Sequence, residues 1–195
     1  MPSIRIHEKV GDIIGKEIGI SSYDYYLGLL APDTPNIDDI VRKEDRWMAH
    51  QRRKDLEEWR EAIDHFYRQE KDHYPKDFIL GYYIHILTDI VYDDFFYLRV
   101  RDTIEETYSR EESHQIMRQD MEKYTFDHLS DIKKILQEED TSYDILNIGK
   151  GKLRKWKEKN CSSWDEKRKS QYVTDNIIDD LAKKVLEEYQ ERIGK

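Results

Sequence analysis

The 195-residue sequence has little of what disulfide scaffolds, sheet proteins and membrane spans require. Its single cysteine, Cys161, excludes an intrachain disulfide and a cysteine-rich zinc site. Only eight glycines and four prolines interrupt the chain, which is too few for the many turns of an all-β domain. No stretch reaches about 18 apolar residues, and the opening MPSIRIHEKVGDIIG lacks the apolar core of a signal peptide. We therefore expect a cytoplasmic protein without a transmembrane segment.

Charge and aromatic content indicate the fold class. Charged residues make up 38% of the chain and aromatic residues 12%, a mixture typical of long amphipathic helices joined by short loops. The length suits one domain with a full core. We predict an all-α protein, a single domain over residues 1–195 with six or seven helices. The net charge of −9 gives no strong signal for nucleic acid or an anionic membrane, and the sequence leaves the oligomeric state open.

Apolar spacing and capping residues predict where the first helices lie. Apolar residues at helical spacing predict a helix over residues 4–18 that ends at Gly19. Asp24 is expected to cap a short second helix, Tyr25–Leu30. A rigid loop with two prolines follows, because proline restricts the residue before it and ends helices.

The same signals predict longer helices in the rest of the chain. One charged helix is expected over Glu44–Glu70 and a central apolar helix over Lys76–Thr103. A capping box at Ser109 begins a helix that we expect to continue through Leu136. Further starts are predicted at Thr141 and at a second capping box, Ser163-Trp164-Asp165-Glu166.

The segment GYYIHILTD, residues 81–89, lies in the longest apolar run of the chain. His85 and Asp89 are four residues apart, so a helix places them on one face. Burying an imidazole and a carboxylate is costly unless each has a partner. A divalent metal ion would supply that partner, since both groups are zinc ligands. The alternative is a buried His–Asp hydrogen bond.

Three other polar residues lie near apolar faces or in the rigid loop. His7 opens the first helix, His50 lies beside the apolar stripe of the long charged helix, and Asp33 follows Pro32. Asp33 has an alternative role as a turn-forming residue. Three imidazoles and two carboxylates together suit zinc. The other four histidines lie in charged surroundings or have no obvious partner: His65, His73, His114 and His128.

The order of these residues makes a specific pattern: an early histidine, LG-x-x-APD, a second histidine, and GY-x-x-H-x-x-x-D. This pattern resembles the zinc-dependent phospholipase C family, all-α hydrolases related to the fungal single-strand nucleases. The resemblance runs from His7 to Asp89 and implies a phospholipase C/nuclease-like helical fold. It implies that Asp33, His50, His85 and Asp89 hold one zinc ion, that Asp89 bridges to a second ion bound by His7, and that Asp33 is the general base.

In the family, further histidines and a glutamate that follow the H-x-x-x-D helix hold a third metal ion. This sequence departs from that pattern. Phe95 stands six positions after Asp89, and Arg118 stands four positions after His114. Other residues offer the remaining candidates for that site: His65, His114, Asp93 and Asp94.

The resemblance implies an enzyme, a metal-dependent hydrolase of small-molecule or lipid phosphoesters. Bound zinc lowers the pKa of water to about 7, so no serine or cysteine nucleophile is needed. An HD-type phosphohydrolase is disfavoured, because no histidine is followed by aspartate. A non-catalytic helical binding or scaffold protein with a structural metal site stays open as the alternative.

A basic segment lies near the end of the chain. Residues 150–169 carry nine lysines or arginines against three acidic residues. This segment is expected either to form a solvated face or to meet an anionic substrate.

Overall fold

The computed structural model describes residues 2–38, 42–139, 143–144, 151–162 and 170–194. These residues contain no strand, which confirms the all-α prediction. The α-helical segments are α1 (Ile4–Ile18), α2 (Tyr23–Leu30), α3 (Lys43–Ala49), α4 (Leu56–Glu70), α5 (Lys76–Val91), α6 (Tyr97–Glu105), α7 (Arg110–Lys123), α8 (Leu129–Glu138), α9 (Lys152–Ser162) and α10 (Asp175–Arg192). A 3₁₀ helix over Ala31–Ile37 continues α2, and a π-helical turn over Tyr92–Phe96 joins α5 to α6. When α5, the π-helical turn and α6 are counted as one continuous helix, the described residues form nine helices rather than the six or seven predicted.

Helix α5 is the centre of the core. Every residue from Phe78 to Val91 is buried, because α1, α2, α4 and α10 pack around the helix. Its extension through the π-helical turn to Glu105 agrees with the central helix predicted from the sequence. None of the helices that the structure describes is long and apolar enough to cross a membrane.

Two glycines allow α2 and α5 to lie backbone against backbone. A Cβ atom on Gly28 would lie 2.1 Å from the carbonyl oxygen of Phe78, and one on Gly81 would lie 2.1 Å from that of Tyr25. No side chain fits at either distance. Both glycines belong to the sequence pattern described above, in LGLLAPD and in GYYIHILTD. The contact therefore fixes how the two segments of that pattern meet.

The helix predicted over Glu44–Glu70 is instead two helices, α3 and α4. His50 ends α3, and Gln51 takes the left-handed conformation with φ 50°. Asp55 then caps α4 by accepting from the backbone N–H groups of Glu57 and Glu58. The apolar spacing continues across this break, so the periodicity did not reveal it.

The ends of α1 and α2 agree with the predictions in part. Gly19 ends α1 with φ 75°, as expected. The cap of α2 is Ser22 rather than Asp24, since the Ser22 hydroxyl accepts from the Tyr25 backbone N–H. The helix therefore begins two residues earlier than predicted, at Tyr23.

The later helices also differ from the predictions in part. The capping box at Ser109 is formed and begins α7, as predicted. That helix stops at Lys123, and a separate helix begins at Leu129. The predicted starts at Thr141 and at Ser163 lie outside the described residues.

Candidate metal centre

The fold brings all five predicted ligand residues to one buried place. His7 projects from the first turn of α1, Asp33 lies in the 3₁₀ helix after α2, and His50 ends α3. His85 and Asp89 lie one turn apart on α5. All five are at most 5% exposed. Four separate parts of the chain therefore converge on this cluster, which we call the metal centre.

Asp89 lies in the middle of the metal centre. Its Oδ1 is 3.4 Å from His7 Nε2, while its Oδ2 is 3.6 Å from His50 Nε2 and 3.9 Å from His85 Nε2. Asp33 Oδ1 is also 3.6 Å from His50 Nε2. These separations exceed the ~2.7–3.2 Å of a hydrogen bond. They resemble the spacing of two ligands on one tetrahedral zinc ion, which bond lengths of 2.0–2.2 Å set at about 3.3–3.6 Å.

Several polar atoms at the metal centre have no hydrogen-bond partner among the described residues. Both carboxylate oxygens of Asp89 are buried and unpaired, and so are the Nε2 atoms of His7, His50 and His85. Each unpaired group costs about 1–3 kcal/mol. The alternative of a buried His85–Asp89 hydrogen bond is therefore wrong for this structure, and a cation remains the partner that would satisfy the cluster.

Backbone carbonyl groups orient two of the imidazoles. His85 Nδ1 lies 2.7 Å from the Leu29 carbonyl oxygen, and His50 Nδ1 lies 2.8 Å from that of Arg46. A carbonyl oxygen only accepts, so each Nδ1 carries the proton and each Nε2 presents its lone pair to the metal centre. Metal-bound histidines usually have this kind of outer partner.

Two core side chains hold the end of α3, and with it His50. The Tyr82 hydroxyl donates to the Ala49 carbonyl oxygen. The Trp59 indole N–H donates to the His50 carbonyl oxygen at 2.8 Å. Helix termini leave such carbonyl groups without partners inside the helix, and here α4 and α5 supply the donors.

The metal centre contains two overlapping groups of ligand atoms. One joins His7, His85 and Asp89, and the other joins Asp33, His50 and His85; within each group all ligand atoms lie within 4.8 Å of one another. The His7 ring stacks on the His85 ring with centroids 3.6 Å apart. Either group has the residue types and spacing to hold a metal ion.

Burial keeps the imidazoles uncharged. It lowers the pKa of His7, His50 and His85 from 6.5 to about 4. Neutral imidazole is the form that binds metals. Burial also raises the pKa of Asp89, against the opposing effect of His50 and His85.

Asp33 differs from Asp89 in its electrostatic surroundings. Burial raises its pKa, but His85, His50 and other neighbours outweigh this effect and leave the pKa below its usual value. The Asn36 amide donates to Asp33 Oδ1 at 3.0 Å. The carboxylate of Asp33 is therefore held in its ionised form with one oxygen oriented.

A cleft of about 730 Å³ opens beside Asp33. Helices α3, α7 and α9 contribute Arg46, Arg118, Trp156 and Lys159 to its walls. Asp33 is the metal-centre residue that lines the cleft, so solvent and small molecules approach from its side. This wall could not be predicted from the sequence, because the residues that form it come from segments far apart in the chain and share no motif.

The candidates for a third metal site do not meet. Asp93 pairs with Arg52 and Asp94 with Arg60, each at 2.7 Å. His65 is exposed, and so is His114, whose Nδ1 lies 3.1 Å from the Tyr97 hydroxyl. Among the described residues, none of these four belongs to a metal-sized group.

The basic segment is not one uniform solvated face. Lys152 pairs with Asp38 at 2.6 Å. Lys157 is buried and donates to the Tyr23 hydroxyl and the Glu139 carbonyl oxygen. Lys159 lines the cleft. Residues 150 and 163–169 lie outside the described part of this segment.

Comparisons with known proteins add no relative. No protein-family model matches the chain, and neither a curated protein nor a solved structure matches it significantly. The family resemblance therefore rests on five residues. Three of them lie in the two motifs, and His7 and His50 lie outside the motifs.

Proposed function

We propose that the chain is a metal-dependent phosphoester hydrolase, a single domain of the zinc-dependent phospholipase C type. The observation that supports this proposal is the convergence of His7, Asp33, His50, His85 and Asp89 on one buried cluster, in which both Asp89 oxygens and the three Nε2 atoms have no hydrogen-bond partner among the described residues. Residues chosen from their order in the sequence meet in space at metal-ligand spacing. Zinc suits the nitrogen and oxygen donors of the cluster.

The proposed ligand sets follow the two oxygens of Asp89. Asp33, His50, His85 and Asp89 Oδ2 would hold one ion, and His7 with Asp89 Oδ1 would hold a second. The 3.4 Å and 3.6 Å separations support this division, because each oxygen faces a different imidazole. No side chain is assigned to a third ion.

The chain's own residues have defined tasks in the proposed reaction. Bound divalent ions lower the pKa of water and offset charge on the phosphoryl oxygens. Asp33 takes the proton of the attacking water, while Asn36 holds its Oδ1 in place. The water oxygen bonds to phosphorus, the ester P–O bond breaks, and the leaving oxygen takes a proton from solvent. The substrate is a small-molecule or lipid phosphoester.

The position of the cleft favours catalysis over a structural metal site. Four protein ligands would close a structural site, whereas a catalytic site keeps an open position. Asp33 lies at the wall of the cleft, so the metal centre has an approach that a structural metal does not need. A non-catalytic scaffold protein remains the second candidate, supported by the four possible ligands of the first ion.

Hydrolysis of p-nitrophenyl phosphate and bis(p-nitrophenyl) phosphate tests this proposal. We expect a chelator to abolish activity and zinc to restore it. Asp89→Asn should lower kcat/KM at least about 100-fold, because it removes a ligand shared by both ions. Asp72→Asn changes an exposed aspartate outside the metal centre and should leave activity intact. Full activity of Asp89→Asn, or a zinc-loaded protein inactive on both esters, would contradict the proposal.

A further inference from the structure

Two hydrogen-bond donors in residues of the cleft wall have no partner among the described residues. The Nε of Arg46 and the Nε1 of Trp156 are buried without a hydrogen bond. Both residues line the cleft beside Asp33. They come from different helices, α3 and α9. Two separate elements therefore contribute unpaired, buried donors to the wall of one cleft.

Unpaired buried donors are uncommon in folded proteins, because each costs about 1–3 kcal/mol. Arg46 Nε makes no hydrogen bond to Asp33, although both residues line the cleft and the Arg46 charge helps to lower the pKa of Asp33. Trp156 is 8% exposed, so bulk water does not surround its indole N–H. A bound molecule with several acceptor atoms would satisfy both donors at once.

The charges around the cleft indicate that this molecule is an anion. Arg118 and Lys159 line the cleft together with Arg46. The acidic residues of the lining are Asp33, which belongs to the metal centre, and Glu122, which pairs with Arg118 at 3.3 Å. Once Asp33 binds a cation, the wall has an excess of positive charge. A planar guanidinium matches the oxygens of a phosphate group.

A cationic headgroup fits this cleft poorly. Quaternary ammonium groups bind over aromatic faces that no other cation occupies. Here Lys159 Nζ lies 5.5 Å from the centroid of the Trp156 ring. The aromatic ring of the wall already has a cation over it, and Arg46 and Arg118 would repel another.

We propose that Arg46 and Trp156 bind the non-bridging oxygens of a dianionic phosphate group, so that the substrate is a phosphomonoester rather than a choline phosphodiester. This inference rests on the proposed function and names its substrate class. Arg46 offers Nε and its terminal N–H groups, and Trp156 offers one N–H from a different helix of the lining. Lys159 adds long-range attraction.

Titration calorimetry with inorganic phosphate tests the inference without turnover. We use zinc-loaded protein and, separately, chelator-treated protein. Arg46→Gln should weaken phosphate binding at least tenfold in both, since hydrogen bonds to charged groups are the stronger kind. Trp156→Phe, which keeps a ring and removes the donor, should weaken it about threefold or more. Lys155→Gln is the control. It removes an exposed charge from α9, the helix of Trp156, outside the cleft, and this variant should bind phosphate as the wild type does.

Kinetics give a second readout with two substrates. Arg46→Gln should raise KM for p-nitrophenyl phosphate more than KM for p-nitrophenyl phosphorylcholine, because the phosphate group of the diester carries one negative charge rather than two. Equal phosphate binding by wild type, Arg46→Gln and Trp156→Phe would overturn the inference, as would absence of phosphate binding or a higher kcat/KM on the choline diester. Failure of the proposed function would look different: zinc would not bind, while chelator-treated protein would still report on the two donors.

Discussion

At the scale of single residues, Asp89 differs from two other buried charged groups of the described structure, Asp120 and Lys157. Asp120 is also buried, but its carboxylate accepts from the backbone N–H groups of Gln171, Tyr172 and Val173 at 2.8 Å each. Buried Lys157 donates to two oxygens. Asp89 is fully buried and has no hydrogen bond. Since the fold satisfies the other two groups, the exception at Asp89 indicates a position built for a cation.

Zinc binding should therefore stabilise the fold. At a free zinc concentration about 100 times the Kd, the gain is about 2.7 kcal/mol, which for a chain of this size raises Tm by about 5–10 °C. The measurement is thermal unfolding with zinc and with a chelator. His85→Gln should lose most of this shift, because His85 belongs to both ligand groups.

His65→Gln is the matched control for that experiment. His65 is exposed and lies outside both ligand groups. This variant should show the full zinc-dependent rise in Tm. The same rise in His85→Gln would mean that zinc binds elsewhere.

At the scale of helices, the metal centre depends on the contact between α2 and α5. Gly28 and Gly81 bring the two backbones together. The Leu29 carbonyl, on α2, can then accept from His85, on α5, at 2.7 Å. The same arrangement places Asp33, in the 3₁₀ helix that follows α2, near His50. The two glycines thus set how His85 and Asp33 are placed in the metal centre.

Gly81→Ala should disrupt both the packing and the metal centre. The added Cβ would lie 2.1 Å from the Tyr25 carbonyl oxygen, so α2 and α5 must separate. Overpacking of this kind costs about 1–3 kcal/mol or more. Urea unfolding would measure the loss of free energy, and zinc titration would measure the expected loss of affinity.

Gly19→Asn serves as the control for the glycine substitution. A Cβ on Gly19 has no atom within 4 Å, and asparagine tolerates the left-handed conformation found there. We expect nearly normal stability and normal zinc affinity. If Gly81→Ala behaved in the same way, the close approach of α2 and α5 would not control the metal centre.

At the scale of the whole molecule, the sequence predicted the metal-centre residues better than their surroundings. The resemblance to a family pattern singled out His7, Asp33, His50, His85 and Asp89, and helical spacing alone predicted that His85 and Asp89 share one face. The break after His50 could not, because a charged, periodic pattern runs across it.

The walls of the cleft were also beyond sequence reasoning. Arg46 and Trp156 are 110 positions apart in the chain and meet at one cleft only through the packing of their helices. Neither residue belongs to a motif, and an arginine or a tryptophan in an amphipathic helix is ordinary. Their unpaired donors become visible only when burial and hydrogen bonds are known.

The zinc content of the purified protein measures how many metal ions the cluster holds. Purified protein would be stripped with a chelator, reloaded with zinc, dialysed and measured by elemental analysis. We predict two zinc equivalents for the wild type and for His65→Gln, one for His7→Gln, and at most one for Asp89→Asn, since the two proposed ligand sets share Asp89. A wild-type protein that retains no zinc, or an Asp89→Asn variant that retains two equivalents, would contradict the account.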